Sequence, residues 1–401
     1  MNIDSETRGG RAPTALMLFA VVVLTLNLRA PLTALGPVVG MIRQDLAVSA
    51  AFVGMVAALP MLAFSLCAPL AAFLSRRMQM TKILTAAAAV MAVGILLRSA
   101  YPNPWFLAGG TLVLSAAVAM GNVLLPALAK QNMPGRVGLL IGTMSATMSV
   151  SAAVSAAAAV PLARWGSWQW SLGIWALSAV SATLVWKIWG GAFRAQRPSE
   201  QVSDGLNMWR SRAAWCISLC MGIQSLMFYS IVNFLPSVLA EKGISPEAAG
   251  GYTSLLQAAS LIGVLALSTL IGRSGRRQFW NLAGASVLAA GIAGIWLGSA
   301  DSVWLWVVCI GIGGSGVFSA LMILFALRTD TPAQAAALSG MAQSAGYLIA
   351  AFGPLGMGVM YDVFGSWTVP MGVLTALMAA ECVLAWFAAA PQTVAQADRR
   401  I

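Results

Sequence analysis

A single arginine, Arg29, stands in an apolar stretch bounded by Arg11 and Arg43. That stretch is longer than the roughly 20 residues that carry a helix across a bilayer, and Arg29 falls near its middle. A guanidinium at such depth is expensive unless it faces a wet cavity or an anionic partner, so it marks a pathway for something negative or strongly polar. Its planar fork of donors suits a carboxylate or another electronegative group. Thr25 and Thr33, four residues to either side, extend a polar stripe along the same helical face. The competing reading is a packing arginine held by helix carbonyls, and the residues alone leave both open.

Other polar side chains recur in apolar surroundings. Ser339, Gln343 and Tyr347 follow one another at steps of four, as do Ser225, Tyr229 and Asn233, with Gln224 adjacent. Thr253 and Gln257 share a face, and Asn122 lies one turn before Pro126. Each alone reads equally well as an interhelical hydrogen bond. As a ring around Arg29, Gln257 and Gln343 are the first candidates, followed by Asn122, Gln224, Tyr229 and Tyr347, with Thr33 on the arginine's own stripe. Glu381 is the one carboxylate deep in an apolar stretch, which makes it either a proton-coupling candidate or a packing residue.

Several chemistries are not expected. There is no histidine, and the five cysteines form no CxxC pair, so neither a metal site nor a disulfide is predicted. The run Gly311-Ile312-Gly313-Gly314-Ser315-Gly316 resembles a phosphate loop but sits in an apolar helix with no strand before it, where glycines serve close helix packing. No nucleophile, base and orienting group converge, so the chain is not read as an enzyme, and no cofactor is expected.

The elements that position these residues follow from composition. The chain is 59% hydrophobic and 9% charged, against about 25% charged in soluble domains. Its net charge of +11 is dispersed in short clusters between apolar segments, which argues for a lipid bilayer and against nucleic acid as its partner. Apolar segments span about 14–39, 51–74, 82–100, 104–129, 138–162 and 168–190, then about 212–239, 248–272, 279–299, 302–327, 335–360 and 366–389. The polar stretch 191–211 divides the two sets as a linker, with tails at 1–13 and 390–401. Apart from Arg29, only Arg43, Arg98, Arg164 and Lys242 of the 23 Lys and Arg residues fall on the side opposite the termini. The positive-inside rule therefore places both termini in the cytoplasm. Arg76, Arg77, Arg276 and Arg277 are read as topology signals that also suit a cytoplasmic gate. Most of the tryptophans, among them Trp105, Trp165, Trp168, Trp304 and Trp367, fall near span ends as an interfacial belt.

The two sets repeat. Arg76-Arg77 after the second span matches Arg276-Arg277 after the eighth, and Gly166-Ser167-Trp168 matches Gly365-Ser366-Trp367. Leu140-Ile141-Gly142 stands where Leu338-Ser339-Gly340 stands. The predicted fold is an all-α membrane protein of twelve transmembrane helices, built as two six-helix bundles (14–190 and 212–389) with pseudo-twofold symmetry.

Three segments carry a family resemblance: Asn27-Leu28-Arg29-Ala30-Pro31, Gly121-Asn122-Val123-Leu124-Leu125-Pro126, and the run AALSGMAQSAGYLIAAFGP at 336–354. They resemble the cyanate permease and 2-nitroimidazole transporter family of the major facilitator superfamily, more closely its nitroimidazole branch. The resemblance implies a secondary transporter of the bacterial inner membrane for a small anionic or polar organic solute, and the chain is read as a monomer working by alternating access. It also implies that spans 1, 4, 7 and 10 line the cavity, with 2, 5, 8 and 11 beside them. One departure is Ser75, which stands before Arg76-Arg77 where the superfamily usually has an acidic residue. A proton-coupled multidrug antiporter using Glu381 is the alternative function.

Overall fold

Apolar segments of this length can satisfy their backbone polar groups in lipid only as helices or closed barrels. In the computed structural model, which describes residues 14–132, 137–193 and 207–398, every regular element is helical. Among the described residues, twelve helices are long and apolar enough to cross a membrane. The first half comprises α1 (Thr14–Thr33), α2 (Leu35–Leu46), α3 (Ala50–Arg77), α4 (Met80–Ser99), α5 (Pro104–Asn132), α6 (Val137–Trp165), α7 (Trp168–Gly173) and α8 (Trp175–Trp189). The second comprises α9 (Arg212–Glu241), α10 (Pro246–Arg273), α11 (Arg277–Leu297), α12 (Val303–Leu327), α13 (Pro332–Phe364) and α14 (Thr368–Ala388).

The first and sixth spans are each interrupted. Pro31 and Pro37 bracket the break at Ala34; each lacks the N–H that would bond the carbonyl four residues earlier. The Thr33 hydroxyl donates to the Arg29 carbonyl at 3.0 Å, a back-bond that favours local bending. Helix starts carry the expected oxygen caps: Ser49, Ser211, Ser245 and Thr331 each accept from a backbone N–H three residues on.

Pseudo-twofold symmetry explains the Gly-Ser-Trp repeat. Trp168, opening α7, donates its indole N–H to Asp45 at the end of the first span, at 2.7 Å. At the corresponding place Trp367 donates its backbone N–H to the Glu241 carboxylate at the end of α9, at 3.1 Å. Both tryptophans are buried, unlike Trp105, Trp165 and Trp304, so these two are packing anchors and not part of an interfacial belt. Gly365 ends α13 with φ at 66°, the left-handed conformation that glycine adopts without a Cβ penalty.

The halves meet along α3 against α13 and α6 against α10, two contacts that the pseudo-twofold axis interchanges. Their far ends, opposite the chain termini, are joined. Asp362 of α13 accepts from the Ala50 and Ala51 N–H groups that open α3, at 2.9 and 2.7 Å. Arg164 of α6 pairs with Glu247 of α10, and the Ser254 hydroxyl donates to the Ala153 carbonyl at 2.9 Å. The Arg43 guanidinium lies 5.1 Å from the Tyr361 ring centre. A Cβ at Gly54 would strike the Pro354 carbonyl, and one at Gly358 the Ala50 carbonyl, so the two backbones touch there. Towards the terminal side, Gly142 and Gly340 are exposed, with open space where a Cβ would stand.

Candidate functional site

Arg29 is carried on α1 about 22 Å from its start at 1.5 Å per residue, near the middle of the interrupted first span formed by α1 and α2. Its side chain is half-buried and reaches across to the other half. Nη1 donates to the Tyr229 hydroxyl of α9 at 3.4 Å, and Cζ lies 5.7 and 5.9 Å from the Phe228 and Tyr229 ring centres. The hydrogen bond is long and the ring contacts are of cation–π type. Among the described residues the one ion pair is Arg164–Glu247, so no carboxylate neutralises Arg29. The guanidinium is therefore partly solvated by π-faces and one phenol, and retains free donors.

Arg29 lines a small cavity with about 20 Å³ of free space, enough for about one water molecule. Its polar wall is made by Arg29, Thr33, Arg98, Thr111, Tyr229 and Asn233, and its apolar wall includes Pro60 and Met61 of α3. Asn233 donates to the Tyr229 carbonyl at 2.8 Å, which fixes the amide one turn beyond the phenol. Gly121 of α5 sits against the Leu28 side chain, bringing α5 to the level of Arg29.

The sequence candidates distribute unevenly around this cavity. Thr33 and Tyr229 are on its wall. Tyr347 of α13 is buried, packs edge-on against Phe64 at 5.2 Å, and lies within electrostatic reach of both Arg29 and Tyr229. Gln224 is engaged elsewhere: it donates to the Gly314 carbonyl of α12 at 2.7 Å and accepts from Ser225 at 3.2 Å. Gln343 donates to Ser339 on its own helix at 2.9 Å. Gln257 is buried in α10 with its amide nitrogen unpartnered among the described residues, and Asn122 is half-buried on α5. Neither Gln257 nor Gln343 belongs to the described wall of the Arg29 cavity.

Glu381 is wholly buried between α14 and α9, where one oxygen accepts from the Cys220 thiol at 3.3 Å and the other has no partner among the described residues. It lies inside the second half and shares no wall with the Arg29 cavity. Arg77 is exposed and stacks on Phe73 at 4.3 Å; Arg276 is exposed and Arg277 half-buried; the side chain of Arg76 lies outside the described residues. No group of three or more metal-ligating side chains occurs among the described residues. The glycine run of α12 packs backbone to backbone against α10 and α11.

Two residues carry more than their position in the sequence suggests. Arg98, at a span end, reads as a topology charge, yet it is wholly buried and lines the cavity. Arg328, among the Lys and Arg residues that the charge bias puts on the side of the termini, caps the end of α14 by donating to the Phe387 and Ala388 carbonyls at 3.0 and 2.6 Å.

A family model described as Major Facilitator Superfamily matches residues 17–351. The chain belongs to the major facilitator superfamily. It is 35% identical to the 2-nitroimidazole transporter of Escherichia coli (strain K12), over 90% of this chain and 93% of that protein. It is 33% identical to an uncharacterized transporter of Bacillus subtilis (strain 168), covering 90% of each. The cyanate transport protein of Escherichia coli (strain K12) is 25% identical, over 88% of this chain and 91% of the other. These relatives agree with the nitroimidazole- and cyanate-type branch of the superfamily. Among solved structures, a bacterial homologue of the human lysosomal transporter Spinster, inward-facing and unoccupied, shares the fold with a TM-score of 0.75 at 14% identity, covering 96% of this chain and 98% of the other. The chain is thus a multi-pass membrane transporter of the major facilitator fold.

Proposed function

We propose that this transporter is a monomeric secondary carrier of the bacterial inner membrane that moves a small anionic or polar organic solute, cyanate- or nitroimidazole-like, by alternating access, with Arg29 as its clamp. The observation that carries the reading is Arg29 itself: a mid-membrane guanidinium on a cavity, without a carboxylate partner, and touching a residue of the opposite half. A cation in that position is costly unless an electronegative group completes it during the cycle. Nitro, cyanate and carboxylate groups all present paired or terminal acceptors that suit the guanidinium fork. Tyr229 and Thr33 share the cavity wall with Arg29, and Tyr347 is a further companion behind it. Asn122, Gln257 and Gln343 are assigned to its approach through the wider interface; Gln224, held by the Gly314 carbonyl, is left out of that path.

The positive-inside charge bias makes the joined ends of the halves the outer ends, so the arrangement described is closed outside. Solute reaches Arg29 from the cytoplasmic side in this state, and separation of α3 from α13 and of α6 from α10 gives the opposite access. Arg76, Arg77, Arg276 and Arg277 lie where a cytoplasmic gate then forms. No step of covalent chemistry enters the cycle.

The test is counterflow in proteoliposomes with cyanate, nitroimidazoles and small carboxylates. Wild type is expected to accumulate at least one of these against its external concentration, and Arg29→Ala to lose that accumulation. Equal accumulation by both overturns the assignment of Arg29.

A further inference from the structure

Arg98 sits in the last turn of α4 with none of its surface exposed. Its Nη2 donates to the Leu172 carbonyl at 3.4 Å, close to the break between α7 and α8. Its Nε and Nη1 have no partner among the described residues. This side chain and Arg29 line the same cavity, together with Thr33 and Thr111. Arg164–Glu247 is the one ion pair among the described residues, so both cavity cations stand without a carboxylate.

Both guanidinia have lost hydration around one largely apolar cavity, Arg98 most completely. A structural tie from α4 to the α7 end would use one nitrogen and does not account for the other two. An anionic group in the cavity supplies hydrogen-bond acceptors for Arg98 and a counter-charge for both cations. The free space is about that of one water molecule, so seating a larger anion requires the walls to move apart.

We infer that Arg98 is a second cationic contact of this cavity, and that Arg29 and Arg98 jointly hold one small monoanionic group of halide, cyanate or carboxylate size. This inference rests on the reading of Arg29 as a solute contact. The group comes either from the transported solute or from a resident inorganic halide.

The test uses the full-length protein in nanodiscs, with its unfolding midpoint followed against chloride and cyanate, and a bulky organic sulfonate holding ionic strength constant. Wild type is expected to gain stability saturably with chloride or cyanate, and Arg98→Gln to weaken that apparent affinity about tenfold or more, as loss of charge-assisted hydrogen bonds implies. Arg98→Met, of similar length and apolar, replaces the glutamine variant should that one fail to assemble. A merely structural Arg98 would lower the midpoint without changing its anion dependence, and that result overturns the inference.

Counterflow in chloride and in the bulky sulfonate separates the sources. If the solute's own group fills the site, Arg98→Gln raises KM in both media. If a halide resides there, wild-type KM depends on chloride and the variant's does not. The Arg29→Ala background separates the two claims: anion-dependent stabilisation that persists there and vanishes on adding Arg98→Gln upholds Arg98 even where Arg29→Ala leaves counterflow intact. Indifference of the folded wild type to both anions overturns the site at Arg98 and leaves the Arg29 experiment standing.

Discussion

Arg29 and Tyr229, 200 positions apart, meet across the two halves of the transporter with Nη1 3.4 Å from the phenol oxygen. The contact joins α1 to α9, the first span of each bundle, and so sits near the axis about which the halves are related. A long hydrogen bond is easily exchanged, which suits a place where a solute must enter and leave.

Tyr229→Phe removes the hydroxyl and keeps the ring against Arg29. A bond of this length is worth about 0.5–1 kcal/mol, so KM is expected to rise about 2–5-fold with kcat little changed. Tyr229→Ala also removes the cation–π contact and is expected to raise KM further. Concentration-dependent counterflow checks both, and an unchanged KM in the alanine variant would show that Tyr229 is not a solute contact.

Asp362→Ala removes the carboxylate that receives the two N–H groups opening α3. Capping contacts of this kind contribute about 0.5–2 kcal/mol, and here they exist only while the far ends of the halves are joined. The variant is expected to populate the opened form several-fold more. In a cysteine-free background with Val232→Cys, which places a thiol on the cavity wall, labelling by an impermeant maleimide from the outer side should then accelerate. A rate equal to that with Asp362 intact would mean that this cap does not hold the ends together.

Gly54→Val tests the same seal by sterics instead of charge. A side chain at Gly54 would overlap the Pro354 backbone, which cannot move aside as a flexible side-chain tip can. Transport is expected to be lost while the purified protein keeps its helical circular dichroism, with Val232→Cys labelled rapidly from outside. Gly142→Val, at an exposed position with open space around it, is the matched control and should transport.

Much of this architecture was legible in the residue order. Twelve apolar lengths, a biased charge distribution and repeated short motifs sufficed for the fold, because lipid leaves the backbone few options. Steps of four placed Thr33 beside Arg29 and Tyr229 on one face with Asn233. That Tyr229 meets Arg29 depends on packing between bundles, which helical periodicity within one span does not encode. Arg98, Asp362 and Trp168 were misread or passed over for one reason: at span ends, hydropathy and charge counting give an anchor, a cap and a topology signal the same appearance. Only tertiary placement separates them, since Trp168 needs Asp45 and Asp362 needs the start of α3. Gln224 shows the converse, a polar side chain at a suggestive depth that is engaged by the Gly314 carbonyl.

Glu381 divides the proposed carrier from the proton-driven alternative. Its carboxyl group is enclosed by α9 and α14, bonded to Cys220, and separate from the wall that holds Arg29. A coupling carboxyl must exchange its proton with one side and then the other, which an enclosed position inside one bundle does not serve. Glu381→Gln preserves volume and a polar partner for Cys220, so solute counterflow and flux driven by a pH gradient are both expected to match wild type. Glu381→Ala leaves a cavity and an unmatched thiol, and is expected to lower the unfolding midpoint by several degrees without changing KM. Loss of pH-driven flux in Glu381→Gln, with counterflow preserved, would transfer the coupling role to this residue and favour the antiporter.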